Sequence, residues 1–402
     1  MPRLLVFSTL FPHPGQPHAG LFIRERMFRV ARELPLTVVA PVPWFPGQSL
    51  LRRWRPHFRP DAPRREVQAG IEVHHPRFLS VPGLGKRFDG VLLACSTWWC
   101  LRRLKSQQRF DLIDAHFAYP DGYAATLLGR WLDVPVTITL RGTEPRHLAT
   151  PGIGPRVRKA LSRAARIFAV SDSLRRLALA AGVPEVRTEV VGNGVDVAIF
   201  HPESREEARQ ELGLTMSDKV LITVGALVER KGFHRVIALM PALLRRHPNL
   251  HYLIVGGSSA EGDLRTTLEQ QAHSLGVSGH VHFLGARAPG VLRWPLSAAD
   301  VFVLPTRNEG WANVILEAMA CGLPVVTTDV GGNREVVCAA TLGTVIPFGD
   351  SEQLERALLD ALARRWDSAG ILAYAQAHQW DHKIESLVRA FKALARPAKV
   401  DS

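Results

Sequence analysis

Short apolar segments alternate with helical segments along most of the sequence, and this alternation is the strongest constraint on the fold. A segment such as VFVLPT (301–306) is rich in β-branched residues and carries little polar character. That pattern is typical of parallel strands buried on both faces. It recurs at 3–9, 36–42, 111–117, 134–140, 166–171, 220–226, 251–257, 280–286, 301–306 and 324–329. Helical periodicity lies between several of them, at 22–33, 122–132, 232–246, 261–275 and 312–321, so we predict an α/β protein with doubly wound parallel sheets.

The length of the chain predicts two such sheets, because 402 residues exceed what one ordinary core accommodates. Gly, Asn and Pro interrupt the pattern within VVGNGVDVAIFHP (190–202). We therefore predict a Rossmann-like domain over 1–192, a second over 193–378, and a C-terminal helix over 379–402 that returns to the first domain. In open α/β sheets, ligands bind beyond the carboxyl ends of the strands, so the loops after the strands are the expected sites of chemistry.

The net charge of +13 is unevenly distributed along the chain. Residues 1–190 hold 29 basic and 14 acidic residues, whereas the remainder holds 21 and 23. This asymmetry indicates an acidic partner for the first half, with an arginine-rich solvated surface as the simpler alternative. A basic nucleic-acid-binding protein is a further hypothesis, raised by the isoelectric point near 10.2. No recognisable nucleic-acid-binding motif supports it, so nucleic acid is not an expected partner.

Other sequence features predict a cytoplasmic protein. The four cysteines show neither metal-binding nor redox spacing. No apolar run approaches the roughly 18 residues that a spanning helix needs. The N-terminus enters an apolar run at once but lacks the basic region and cleavage site of a signal peptide.

The stretch RNEGWANVILEAMACGLPVVTTDVGG (307–332) contains two glutamates eight residues apart. A strand ends before it, and a helix is predicted to begin around Trp311 to Asn313 and to end at Gly322. The first N–H groups of a helix carry partial positive charge and suit a phosphate. Glu309 precedes them, and Glu317 lies about 12 Å further along the axis at about 1.5 Å per residue. A sugar, a diphosphate and a ribose fit this order. For either glutamate alone the favoured interpretation is structural, with Glu309 as a helix-capping carboxylate and Glu317 as a solvated helix residue.

Several segments together resemble the family-4 retaining glycosyltransferases of the GT-B fold, which act in bacterial cell-surface polysaccharide synthesis. The stretch 308–332 is similar to the family's E-x(7)-E element, VGALVERKGF (224–233) to its phosphate loop, and VGNGVD (191–196) to its interdomain segment. DAHFAYPDGYAATLLG (114–129), VTITLRGTE (136–144) and AVSDSLRRLALAAGV (169–183) also resemble family segments, so the likeness covers about residues 110–340. The resemblance implies two Rossmann-like domains facing across a cleft, the first binding the acceptor and the second the nucleotide sugar.

The family's functional residues transfer to matching positions of this sequence. By this resemblance, Glu309 contacts the hydroxyls of the donor sugar, Glu317 holds the ribose, Lys231 neutralises the leaving phosphate, and His116 lies by the donor sugar. The backbone amides of Gly310, Trp311 and Ala312 are expected to contact the diphosphate. Gly225, Arg230 and Asn313 complete the expected donor-binding set. The resemblance implies no cofactor and no metal, and the sequence contains no D-x-D motif.

Two departures from the family pattern leave alternatives open. Ala226 stands where the family usually has an arginine five residues before the lysine. Either Arg230, Arg141 or Arg307 replaces it, or Lys231 and the helix amides suffice without it. The loop HPGQPHAGLF (13–22) replaces a glycine pair of many relatives, and Gly20 is expected to leave room for the sugar or the acceptor. Asp121 and Glu144 lie on other loops that follow strands and are candidate acceptor or phosphate contacts.

We therefore predict a retaining, metal-independent hexosyltransferase that uses a UDP- or GDP-sugar and a glycan or lipid-linked glycan acceptor. A GT-B sugar-nucleotide epimerase is the alternative enzyme. Residues 50–59 (LLRRWRPHFR) place Leu50 and Trp54 among Arg52, Arg53 and Arg55, a composition that suits the surface of an anionic membrane. Residues 96–109 repeat the theme with Trp98 and Trp99, but a helix packed on the sheet is the favoured interpretation there.

Overall fold

The computed structural model describes residues 1–17, 19–54, 58–83, 85–259 and 261–395. The chain divides into two compact units. The N-terminal unit comprises Met1–Asn193 and the described residues from Asp381 onward, and the C-terminal unit comprises Gly194–Trp380. The chain thus passes from the first unit to the second after Asn193 and returns after Trp380.

Strands and helices alternate in the N-terminal unit. The strands are β1 (Leu4–Phe7), β2 (Leu36–Val39), β3 (Val42–Trp44), β4 (Arg65–Gln68), β5 (Ile71–His74), β6 (Arg77–Leu79), β7 (Leu112–His116), β8 (Val136–Leu140), β9 (Arg166–Ala169) and β10 (Thr188–Val190). The helices are α1 (Leu21–Val30), α2 (Gln48–Trp54), α3 (Asp89–Gln107), α4 (Tyr123–Leu132), α5 (Glu144–Ala149), α6 (Gly154–Arg163) and α7 (Asp172–Ala180). The last helix of the described chain, α16 (Trp380–Leu394), also belongs to this unit from Asp381 onward.

The C-terminal unit repeats the alternation. Its strands are β11 (Lys219–Val224), β12 (Leu250–Val255), β13 (Val281–Gly285), β14 (Val301–Leu304), β15 (Val325–Thr328) and β16 (Gly343–Ile346). Its helices are α8 (Arg205–Glu211), α9 (Phe233–Arg246), α10 (Arg265–Ser274), α11 (Pro289–Ala298), α12 (Asn313–Ala320), α13 (Asn333–Val336), α14 (Ser351–Ala363) and α15 (Ser368–Ala377), after which α16 (Trp380–Leu394) begins.

The strand order of both sheets reverses at one point. Within the described residues, the N-terminal sheet has the order β10-β9-β8-β7-β1-β2-β5-β4 and the C-terminal sheet the order β13-β12-β11-β14-β15-β16. Every pairing in the C-terminal sheet is parallel. The prediction of two doubly wound α/β sheets is confirmed. A further pair, β3 with β6, lies outside the N-terminal sheet.

Central strands such as β14 and β1 are apolar at every position because both faces of the sheet are buried there. In β14, Val301 and Val303 pack into the core on one face of the sheet, whereas Phe302 and Leu304 pack into the core on the other. Both faces are covered by helices, so a polar residue at any of these positions would be buried. In β1 all four residues, from Leu4 to Phe7, are buried for the same reason.

The sequence patterns missed one edge of the N-terminal sheet. Strands β4 and β5 pair antiparallel there, so this sheet is not purely parallel. Their sequences, REVQ and IEVH, are rich in polar residues because an edge hairpin is only partly buried. Helix α2 ends at Trp54, and Arg55 of the predicted membrane-binding stretch lies outside the described residues.

Candidate active site

The switch point of the C-terminal sheet lies between β11 and β14, which are neighbours in the sheet. Leu221 of β11 pairs with Val301 of β14, 80 residues later in the sequence. Successive strands from β11 run toward one edge and those from β14 toward the other. The loops that leave these two strands at their carboxyl ends diverge to opposite faces and leave room for a ligand. These loops are 225–232 and 305–312. The first lies within the segment that resembles the family's phosphate loop, and the second overlaps the stretch with the two glutamates.

The loop after β14 leads into α12, which begins without a side-chain cap. The residue preceding the helix, Ala312, makes no side-chain capping hydrogen bond. Among the described residues, the N–H groups of Gly310, Trp311 and Ala312 find no acceptor. The indole Nε1 of Trp311 is buried and has no partner in this part of the chain. Unpaired donors with partial positive charge at a helix start are suited to an anionic, oxygen-rich ligand.

The Glu309 carboxylate pairs with the cations of the neighbouring loop rather than capping the helix. Its Oε1 accepts hydrogen bonds from Lys231 Nζ at 2.6 Å and from Thr306 Oγ1 at 3.2 Å. Arg230 Nη1 lies 3.4 Å from the same oxygen. The alternative of a helix-capping Glu309 is therefore wrong for this structure. Thr306 was not predicted; its hydroxyl also bonds the Arg230 carbonyl at 2.9 Å and so links the two loops.

The candidate replacements for the family arginine lie in different surroundings. Arg230 pairs with Glu309 and also with Glu261, at 2.9 Å. The side chain of Arg307 is 59% exposed and lies 4.0 Å from Glu229. Arg141 belongs to the N-terminal unit. Within the C-terminal unit, the structure therefore brings Arg230 to the Lys231–Glu309 pair.

Glycines keep the two loops close to each other. Gly225 lies under the Lys231 side chain, where a Cβ would come within 3.3 Å of Lys231 Cε. Gly331 has a φ of +54°, and a Cβ there would lie 1.7 Å from the Glu309 carbonyl oxygen. The glycine pair after β15 is thus explained, because any larger residue at 331 would displace the backbone that carries Glu309.

Glu317 lies on α12, the helix that begins after this loop, beside the residues of the core. Burial raises the pKa of its carboxyl to about 7, and the positive charge of Lys231 opposes the rise. A carboxyl in this environment changes protonation near neutral pH, and a ligand that donates hydrogen bonds to it favours the ionised form. Asn313 is the first residue of the same helix and carries its amide at the mouth of the site.

The switch point of the N-terminal sheet lies between β1 and β7. His116 is the last residue of β7 and is fully buried. Its Nδ1 lies 3.1 Å from Arg141 Nη2. Burial and the charges of Arg141 and Arg26 hold the pKa of His116 well below its usual range, so the ring is neutral. Its Nε2 is 3.5 Å from Asp114 Oδ2 and makes no hydrogen bond to a described residue.

Asp121 and Glu144 are positioning residues rather than surface contacts. Asp121 is fully buried and accepts hydrogen bonds from the N–H and the hydroxyl of Thr9, each at 3.1 Å. These bonds join the loops after β1 and β7. Glu144 is fully buried too, and accepts the N–H groups of Gly142, Arg141 and Ala118 at 2.7, 3.2 and 3.2 Å. Both carboxylates thus bind protein groups in this structure, and a contact of either with the acceptor or with a phosphate stays a prediction.

Gly20 starts α1 in the left-handed conformation, with a φ of +68°. A Cβ at this position would lie 2.4 Å from the Leu10 carbonyl oxygen. Gly20 therefore lets the loop after β1 fold back on itself, which is a reason for the glycine that does not involve a ligand.

Similar solved structures indicate the fold class of this protein. The chain is similar to Anabaena Alr3699/HepE in complex with UDP-glucose, with a TM-score of 0.72 and 20% identity over 98% of this chain and 100% of that one. At this identity the likeness shows the fold, and the neighbours of this fold are GT-B glycosyltransferases.

Family models and curated relatives then give the family. Residues 204–393 match the model of the glycosyl transferases group 1, and residues 54–199 match that of glycosyltransferase family 4. A D-inositol 3-phosphate glycosyltransferase of Geodermatophilus obscurus is 32% identical over 351 residues, covering 82% of this chain and 77% of the relative. A putative teichuronic acid biosynthesis glycosyltransferase, TuaC of Bacillus subtilis, is 29% identical over 340 residues and 82% of each chain. The chain belongs to the family-4 glycosyltransferases, as the sequence resemblance predicted.

Among the described residues, no helix has the length and apolar character needed to cross a membrane.

Proposed function

We propose that this protein is a retaining hexosyltransferase that moves a sugar from a UDP- or GDP-sugar to a growing glycan on a lipid carrier. The observation that carries the donor assignment is the Lys231–Glu309 pair beside the uncapped start of α12, at the switch point of the sheet. The pair offers a cation for a phosphate and a carboxylate for sugar hydroxyls side by side. The UDP-glucose complex of the HepE neighbour supports a uridine nucleotide as the first donor to test.

The charge of the donor is met by protein groups in this proposal. Lys231 and Arg230 neutralise the diphosphate, and the amides of Gly310, Trp311 and Ala312 donate to its oxygens. Donors fixed in place before the reaction stabilise the charge that grows on the leaving group. Lys231 and Arg230 both bond Glu309 in this structure. When the donor binds, they would exchange hydrogen bonds to Glu309 for hydrogen bonds to the diphosphate, without having to move to the site from elsewhere. No metal is required in this scheme.

The transfer itself breaks the bond between the sugar C1 and the diphosphate oxygen and forms a bond from C1 to the acceptor oxygen on the same face. The acceptor hydroxyl loses its proton to an oxygen of the departing β-phosphate. Glu309 orients the sugar hydroxyls, and His116 supplies a neutral N–H donor to the sugar. Glu317 accepts hydrogen bonds from the ribose. Interactions that strengthen only as the sugar becomes cationic raise the rate rather than the affinity.

The proposed acceptor follows from the relatives and the charge of the chain. The TuaC relative is named for teichuronic acid biosynthesis, and the Geodermatophilus relative for D-inositol 3-phosphate. The two names refer to different molecules, so they do not select one acceptor. The basic excess in residues 1–190 favours an anionic acceptor or an anionic surface over a neutral free sugar.

We further propose that the N-terminal unit docks on an anionic membrane through α2. Leu50 is 59% and Trp54 83% exposed on this helix, and Arg53 beside them is exposed. Arg52 instead turns inward, bonding Asp61 and the carbonyl of Arg59. Helix α3 adds an exposed Trp99 with the Arg102 guanidinium 5.5 Å from its ring centroid, although it buries Leu101 and Leu104 as predicted. Exposed aromatic and aliphatic side chains next to arginines suit the interface of an anionic bilayer.

Incubation with a panel of UDP- and GDP-sugars, with released nucleoside diphosphate as the measurement, tests the proposal. We expect release with at least one donor and its loss in Glu309→Ala and Glu309→Gln, with Glu206→Gln, an exposed glutamate of the same unit, as the matched control. Normal release in Glu309→Ala, with an unchanged melting temperature, would contradict the role of Glu309. An epimerase would instead convert the sugar of the donor without leaving free nucleoside diphosphate.

A thermal-shift panel separates the enzyme from a nucleic-acid binder. A nucleotide that binds the folded protein raises its melting temperature by mass action. UDP or GDP should stabilise the transferase, and oligonucleotides should not. Stabilisation by oligonucleotides alone would overturn the proposal.

A further inference from the structure

Arg141 connects His116 to the point where the chain leaves the N-terminal unit. Its Nη2 lies 3.1 Å from His116 Nδ1, and its Nη1 donates to Asn193 Oδ1 at 2.9 Å. Asn193 is the last residue before the chain enters the C-terminal unit. All three side chains are buried.

The hydrogen bond to His116 fixes the protonation of the ring. A guanidinium carries only donors, so the Nδ1 that faces it must accept. The single proton of the neutral imidazole then lies on Nε2. A second proton on Nδ1 would point at Arg141 and would add a buried positive charge beside both Arg141 and Arg26. The ring is thereby held as an Nε2–H donor.

Further contacts hold Arg141 in this position. Glu144 accepts its backbone N–H at 3.2 Å and also binds Ala118, two residues after His116. The guanidinium carbon lies 5.2 Å from the centroid of the Phe22 ring, which supports the plane of the group. A lysine has one ammonium and cannot reproduce this planar, two-armed contact.

We propose that Arg141 is a positioning residue for sugar transfer, which presents His116 to the substrate as an Nε2–H donor and ties it to Asn193. The inference rests on the proposed function, since it assigns the work of His116. It differs from the alternative in which Arg141 replaces the missing family arginine as a phosphate ligand, because both Nη atoms of Arg141 already bind protein groups. The buried Nε2 of His116 lies 3.5 Å from Asp114 Oδ2 and makes no hydrogen bond to a described residue, so the ring has an N–H donor available for a substrate oxygen.

The tautomer is measurable without any activity. In protein labelled with ¹⁵N-histidine, the two-bond proton–nitrogen pattern of His116, assigned by its loss in His116→Asn, should show the Nε2–H form across about pH 5.5 to 8.5. In Arg141→Met the Nδ1 loses the donor that faces it, so the ring should populate the Nδ1–H form as well, while burial still keeps it neutral, with Arg26 and Asp114 as its remaining charged neighbours. An Nδ1–H form in the wild type, or an Arg141→Met spectrum identical to the wild type, would overturn the proposal.

Kinetics supply the second readout. We expect kcat of Arg141→Met to fall on the order of 10–100-fold, as for other residues that orient a histidine, with the donor KM little changed. Arg141→Lys should recover part of the loss, Asn193→Ala should lose less than Arg141→Met and keep the tautomer, and the exposed Arg163→Met is the control. A raised donor KM with unchanged kcat would assign Arg141 to the phosphate and overturn the positioning role. If the wild type releases no nucleoside diphosphate from any donor, the proposed function fails, while the NMR measurement still decides the role of Arg141.

Discussion

Both units carry a switch point between neighbouring parallel strands, but they fill it with different chemistry. In the C-terminal unit the side chains at the switch point are charged, partly buried partners on two loops: Lys231 and Arg230 with Glu309. In the N-terminal unit these side chains are buried, and most of their polar atoms bind protein groups. Asp121 accepts hydrogen bonds from Thr9, Glu144 accepts them from three backbone N–H groups, and His116 accepts one from Arg141. In the proposed function, the C-terminal switch point would therefore exchange its partners for a ligand, whereas the N-terminal one is already held by protein contacts.

The sharpest test of this contrast is the removal of Lys231. If the C-terminal switch point stabilises the leaving diphosphate, Lys231→Ala should cost about 2–4 kcal/mol in kcat/KM, by analogy with other groups that stabilise developing charge. Arg230→Ala should cost less than about 1.4 kcal/mol, which is a tenfold effect. The measurement is steady-state release of nucleoside diphosphate. Should Arg230→Ala prove the more damaging, Arg230 is the main phosphate cation.

Glu317 predicts a pH dependence for donor binding. With a pKa of about 7 in the free protein, its carboxyl is mostly neutral below that pH. Since ribose hydroxyls favour the ionised form, donor binding must displace the proton there, and affinity should rise with pH and level off above about pH 7. Calorimetry with UDP-glucose, whose diphosphate does not titrate in this range, measures the effect. Glu317→Gln should bind more weakly and without this dependence; an equal slope in the variant would refute the assignment.

Membrane docking is expected to have a smaller effect and to concern the N-terminal unit alone. Arg53→Glu combined with Trp54→Ala should reduce cosedimentation with anionic vesicles at low salt, at roughly 1 kcal/mol per arginine near the surface. Arg163→Glu, an exposed site on α6, is the matched charge reversal. UDP binding should be unchanged in both variants. If the wild type does not cosediment, the acceptor is a soluble molecule.

Asp121, in the buried network of the N-terminal unit, is expected to affect the stability of the fold and not the transfer reaction directly. Burial raises the pKa of its carboxyl to about 8, from about 4 in the unfolded chain. Between these values the folded state holds a proton that the unfolded state has lost, so the free energy of unfolding falls as pH rises. Asp121→Asn cannot ionise, and its melting temperature relative to the wild type should increase from about pH 5 to about pH 9. A difference that stays constant with pH would show that Asp121 is ionised in the folded protein.

The sequence predicted the sheets where burial leaves a strong pattern and missed them where it does not. Strand β14 has a core on each face and is apolar throughout, whereas β4 and β5 form an edge and resemble loops in their composition. The residues of the candidate site were predicted by resemblance, but their contacts were not. The Lys231–Glu309 bond joins residues 78 apart in sequence, and only the adjacency of β11 and β14 brings them together.

The roles of single residues were harder to predict than their presence. Asp121 and Glu144 follow strands in the sequence as ligand-binding residues do, and only their burial and backbone partners show that they position loops. Likewise, Gly331 precedes a short helix without a sequence signal for its φ of +54° or for its approach to Glu309. Side-chain direction and close backbone contact are properties of the folded chain that residue type does not encode locally.

The return of the chain to the N-terminal unit has a consequence for biosynthesis. Phe391 of α16 packs on Phe168 of β9, with ring centroids 5.7 Å apart, and both side chains are fully buried. During synthesis on the ribosome, β9 therefore lacks its partner α16 until the entire C-terminal unit has been translated. This takes roughly 10–40 s at about 5–20 residues per second. During that interval Phe168 lacks its cover, so the nascent N-terminal unit presents an apolar surface to chaperones. The unit that is synthesised first is in this way the one that is completed last.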